Sequence, residues 1–90
     1  MMEIAQMLDQ RRNQHGNLIT QSNISQDMKD IIRAANNWND LQADQKECLE
    51  MIVHKTARIL AGDPNFTDHW EDIAGYAILV ANRLKPIKAA

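Results

Sequence analysis

The chain has 90 residues, 44% hydrophobic and 24% charged, with a formal net charge of −2. That length fits one folded domain with a thin core, for which self-association is an available way to bury more apolar surface. Ten Lys and Arg against 12 Asp and Glu leave no basic surplus for a phosphate backbone, which argues against nucleic-acid binding.

A single cysteine, Cys48, rules out an intramolecular disulfide and a cysteine-rich zinc site. The sequence lacks a basic segment followed by an apolar leader, and no apolar run approaches the ~20 residues of a membrane span. The expectation is a soluble cytoplasmic protein with no membrane partner, in the host cytoplasm if its origin is viral.

Helical periodicity recurs in four segments, and none alternates as a strand. The first runs from about Glu3 to His15, with Ile4, Met7 and Leu8 on one face and Gly16 as its stop. The polar stretch "NLITQSN" then reads as a loop. A second helix is expected from Ser22 or Ser25, with Ile24, Met28, Ile31, Ala35 and Trp38 as its stripe. The cluster Asn36, Asn37, Asn39 and Asp40 ends it, because amides and short acids compete for backbone hydrogen bonds.

The third helix is expected from Ala43 or Asp44 to Ala61, stopped by Gly62 with Pro64 beyond. Thr67 or Asp68 is placed to cap the fourth, and Asp68 to Glu71 has capping-box spacing. That helix runs to about Leu84, where Pro86 forbids much more. The fold class read from this pattern is all-α, one domain over 1–90, a bundle of about four helices. The short connection from Gly62 to Thr67 makes the last two an antiparallel hairpin.

Spacing at 100° per residue gives the third helix two faces. Leu49, Ile52, Val53, Thr56 and Leu60 form an apolar stripe; Glu47, Met51, His54, Lys55 and Arg58 lie nearly opposite. On the fourth, Trp70, Ile73, Ala77, Val80 and Leu84 are the expected core, with Asp68, Asp72, Gly75, Tyr76, Leu79 and Arg83 on the flank. Counted outward from the turn, Arg58 is level with Asp72, and Lys55 with Gly75. An Arg58–Asp72 ion pair accounts for two of these residues without any ligand. Gly75 inside a helix costs ~1 kcal/mol relative to Ala, which close approach by a backbone or ligand would explain.

Two functional readings use the same flank. In one, Lys55 and Arg58 grip the phosphates of a nucleotide, beside His54, Asp68 and Asp72, while Tyr76 packs on the ligand. In the other, Asp68 and Asp72 hold Mg²⁺ with Glu47 or Glu50. His54 alone, without a second ligand of its kind nearby in sequence, is weak evidence for a metal. "GDP" at Gly62–Pro64 is a helix stop and turn, and no phosphate-loop, dinucleotide or zinc-protease motif is present.

Through "HG" (His15–Gly16), "EMIVHKTARILAGDP" (Glu50–Pro64) and "DHWEDIAGYAILVANRL" (Asp68–Leu84), the chain resembles an uncharacterised family of small phage and prophage proteins. That resemblance implies a viral origin and a helical fold. With Glu47 and Glu50 as an ExxE, it also resembles the MazG-like all-α NTP pyrophosphatases, although Ala74 stands where their second acidic pair would close. This second likeness implies a Mg²⁺-dependent nucleoside triphosphate pyrophosphohydrolase. The expected function is therefore an accessory protein binding a phosphate-bearing ligand, a nucleotide or a nucleotide-derived defence signal. The alternatives are the pyrophosphohydrolase and a module that blocks a host protein. A homo-oligomer is expected, and whether the chain is an enzyme stays open.

Overall fold

A computed structural model describes residues 3–86, and it is all-α: no strand occurs among the described residues. The elements are α1 (Ile4–His15), α2 (Leu18–Arg33), a 3₁₀ turn (Trp38–Asp40), α3 (Ala43–Ala61) and α4 (Thr67–Leu84). No helix among the described residues is long and apolar enough to cross a membrane.

The α1–α2 boundary differs from the sequence expectation. Asn17 Oδ1 accepts the Ile19 and Thr20 amides at 2.9 and 3.4 Å, so the helix starts at Leu18 and "NLITQSN" is its cap and first turns. Gln21 and Ser25 are buried on the side that meets α3, Ser25 with its Oγ lacking a hydrogen-bond partner. Small side chains at Ser25 and at Ala57, which is 0% exposed, let these two helices come close. At the other end α2 stops at Arg33, and Trp38 falls in the separate 3₁₀ turn.

α3 begins on a reciprocal capping box between Gln42 and Gln45, then runs to Ala61 ahead of Gly62. α4 is entered differently from expectation. Phe66 is its N-cap, no side chain caps it, and the Asp68–Glu71 box does not form. The inward positions of α4 are His69, Ile73, Tyr76 and Val80, spaced four, three and four. Trp70, assigned to the core by periodicity, is 54% exposed and donates its indole N–H to the Pro64 carbonyl at 2.8 Å.

The expected four-helix bundle is not what packs. α3 makes its broadest contacts with α4 and then α2, whereas α2 and α4 scarcely meet. The body is therefore a layer of three helices with α3 in the middle, and the molecule is 20 Å thick in its shortest direction. α1 joins through its last turn, where Gln14 and His15 are its half-buried residues.

The layer has two unlike faces. One carries the ion pairs Arg33–Glu50 at 2.7 Å, Lys55–Asp72 at 3.0 Å and Arg83–Asp44 at 2.6 Å. Opposite them, the apolar stripe of α3 looks outward beside Trp70, Ala77 and Leu84 of α4 and Ile31 of α2, all exposed. Ala57 and Ile59 are the buried apolar residues among those described, so the core is thinner than periodicity suggests.

Candidate functional site

A close backbone crossing joins the α1–α2 turn to the end of α3. Gly16 has φ +86°, a region open to glycine, and a Cβ there would lie 2.5 Å from the Ala61 carbonyl carbon. A Cβ on Gly62 would lie 2.5 Å from the Gly16 nitrogen and 2.7 Å from the Gln14 oxygen. The two glycines let two backbones cross where side chains would hold them apart. The Asp63 amide also donates to the Gln14 carbonyl at 3.3 Å.

This crossing brings His69 of α4 against the end of α1. His69 is 1% exposed, and its Nε2 lies 3.1 Å from both the Gln14 carbonyl oxygen and His15 Nδ1. A carbonyl can only accept, so the proton of His69 sits on Nε2 and is shared with His15 Nδ1 as a second acceptor. Phe66 packs edge-on against both rings, at 5.8 and 5.0 Å between centroids. Burial lowers the pKa of His15, and the charges of Arg58, His69, Lys55 and Arg11 lower it further. His54 is lowered the same way, by burial first and then by Arg58.

Beside this junction lies a cavity of about 510 Å³ lined by Arg11 and Arg12 of α1, His15, Arg58 of α3, and Asn17 to Ile19 at the start of α2. No acidic side chain lines it. Arg12 has a loose partner in Asp9 at 3.8 Å on its own helix. Arg58 Nε is buried without a hydrogen-bond partner. The Asn17 side chain occupies two amides at the α2 terminus, so that helix end contributes mainly through its dipole. Leu8, Leu18 and Ile19 give the same cavity an apolar wall.

The residues singled out from sequence are distributed among three places. Arg58 enters this cavity, with half-buried His54 close enough to feel its charge. Asp72 takes Lys55 as its partner in place of Arg58, because Lys55 sits on the side of α3 that meets α4. Tyr76 turns inward to line a different, apolar groove with Leu49, Ile52 and Val80. Asp68 is exposed in the first turn of α4. Nothing lies within 4 Å of a Cβ on Gly75, so no close backbone approach within the chain explains that glycine.

The acids invoked for Mg²⁺ do not converge. Glu50 is held by Arg33, Asp72 by Lys55, and Glu47 is exposed near the start of α3, far along the layer from Asp68. Among the described residues no group of three or more His, Cys, Asp or Glu side chains is placed to hold a metal ion. The donor set therefore does not fit the cation that the pyrophosphohydrolase reading requires.

Sequence reading missed Arg11, Arg12 and His69, and used His15 only as a helix end. The available signal was the pair of short motifs "HG" and "AGDP", whose glycines turn out to touch each other. Comparison with family models, curated proteins and solved structures finds no match to this chain.

Proposed function

We propose that this protein binds a phosphate-bearing small molecule in the cavity at the α1–α2 turn. The observation that carries the reading is the convergence of Arg11, Arg12 and Arg58 on a cavity without an acid, in a chain of net charge −2. Guanidinium groups meet phosphate oxygens through paired N–H donors, and an anion beside Arg58 supplies the partner that its buried Nε lacks.

The volume is within the range of small-molecule sites, about 300–1,000 Å³. Its apolar wall of Leu8, Leu18 and Ile19 favours a ligand with a base or other flat apolar part over inorganic phosphate. A nucleotide or nucleotide-derived signal meets both demands, and sequestering a host defence signal is a role that a viral origin would suit. The site is braced by α3 and α4 as an antiparallel hairpin. Supporting that arrangement, moving from Asp44 to Lys55 on α3 moves the ion-pair partner back from Arg83 to Asp72 on α4.

Thermal-shift titration with nucleotides, cyclic dinucleotides and phosphate tests the reading. A ligand at 100 times its Kd stabilises the chain by about 2.7 kcal/mol. Arg58→Ala and Arg11→Ala should each abolish the shift, whereas Lys55→Ala, which removes a side chain paired to Asp72, should keep it. A panel without any stabilising ligand, or a shift that survives both arginine variants, removes the proposal.

A further inference from the structure

We infer that the apolar face of the α2–α3–α4 layer is the contact surface for a second copy of this chain, in a two-fold symmetric dimer. The inference is independent of the ligand proposal, since Arg58 and its cavity lie on the side of α3 away from this face.

The face is formed by Ile31 of α2, Leu49 and Leu60 of α3, and Trp70, Ala77 and Leu84 of α4, every one exposed. A helical layer is stable when its apolar side meets another layer. Among the described residues nothing supplies that layer: α1 attaches by its last turn, beside Arg58. The ion pairs of the layer lie on the opposite face, so its middle is uncharged and offers no charge pattern for an unlike partner.

Size and shape point to a copy of the same chain. α4 has 18 residues, so the face is about 27 Å long at about 1.5 Å per residue. Three helices at spacings of about 8–10 Å make it of similar width, or roughly 700 Å² in plan. A standard stable interface buries about 800 Å² per partner, so one copy of this face covers another almost completely.

The relief of the face is also self-complementary. Near the α3–α4 turn it bears a projection made by two exposed side chains, Leu60 at the end of α3 and Trp70 at the start of α4. Toward the other end lies a groove of about 250 Å³, lined by Leu41, Cys48, Leu49, Ile52, Tyr76 and Val80. Leu60 and Leu49 are roughly 16 Å apart along α3 at about 1.5 Å per residue. A two-fold axis lying in the plane of the interface and crossing α3 at right angles near Val53 and Thr56 sets each copy's projection into the other's groove, as an isologous interface requires. Cys48 is then covered by the partner.

Sedimentation equilibrium of the full chain at micromolar concentration, with alkylation of Cys48 as a second readout, tests this. The wild type should be a dimer whose Cys48 reacts more slowly as concentration rises. Leu60→Asp places an unpaired charge in the interface and should weaken association about 30-fold or more, with Cys48 becoming fast-reacting. Leu60 is exposed in the single chain, so helicity by circular dichroism should be retained; Leu60→Ala provides a milder variant acting in the same direction. Leu79→Asp, an exposed change on α4 away from this face, should leave both readouts at wild-type values. A monomeric wild type, a Leu60→Asp dimer with protected Cys48, or a dimer broken by Leu79→Asp instead would overturn the inference.

Discussion

The α1–α2 junction and the apolar face of the layer are opposites in how closely their atoms are packed. At the junction, backbone meets backbone across Gly16 and Gly62, and His69 is sealed between Gln14, His15 and Phe66. On the apolar face, Leu60 and Trp70 stand mostly in solvent above an unfilled groove. In most small domains the tightest packing is among aliphatic side chains. Here a close crossing is built instead from glycines, histidines and main-chain carbonyls beside the arginine-lined cavity. The difference indicates that the chain's geometric precision is concentrated where α1 must be held at a fixed angle, so that Arg11 and Arg12 reach the same space as Arg58.

The largest way to break the comparison is to fill the junction. Gly16→Ala puts a side chain at φ +86° and drives it into the Ala61 carbonyl. Strain of about 1–3 kcal/mol and overpacking of about 1–3 kcal/mol combine to a loss of about 2–6 kcal/mol. Urea unfolding reads the total. Because α1 is otherwise exposed, part of the loss should appear as release of that helix, and with it loss of anion binding at wild-type α3 helicity. A variant as stable as wild type would show that the crossing is not tight in solution.

A smaller effect is expected from pH, and it again separates the two regions. In the folded chain the pKa values of His15 and His54 are each lowered from 6.5, by burial first. In the unfolded chain both take up protons near 6.5. Below that pH the unfolded state therefore binds more protons than the folded one, and stability falls as pH falls. The loss develops from 6.5 downward and is complete once pH passes the lowered folded values. Melting temperatures across pH 5 to 8 check this. His15→Gln should flatten the slope, whereas Leu60→Ala on the apolar face should leave it unchanged.

Much of the secondary structure could be read from local signals. Gly62 and Pro64 marked the end of α3, and Gln42 and Gln45 supply a reciprocal cap at its start. Three features depended on tertiary contacts and were not visible locally. The run after Gly16 is helical because Asn17 caps it and its inward side packs on α3. His69 displaced Trp70 from the interior because its imidazole has both a carbonyl and His15 to meet, which a hydrophobicity pattern does not record. The apolar stripe of α3 was legible, but its periodicity could not tell burial within the chain from burial against another copy. For the site, Arg58 was identified from its face on α3, while Arg11 and Arg12 could not be joined to it without the glycine crossing.

The smallest effect is expected at the third glycine, which sharpens the contrast with the other two. Gly75 sits in the interior of α4 with no atom within 4 Å of where its Cβ would be. In an exposed helix interior, Ala is favoured over Gly by about 0.5–1 kcal/mol, so Gly75→Ala should stabilise the chain by that amount. It should do so without changing dimerisation or ligand-induced stabilisation, because Gly75 lines neither the groove nor the arginine cavity. Chemical denaturation of the two proteins side by side is sufficient. If Gly75→Ala instead weakened assembly or binding, a partner or ligand would have to approach the outer side of α4 closely. The contrast would then be between two regions that both depend on glycine for close approach, one within the chain and one between molecules.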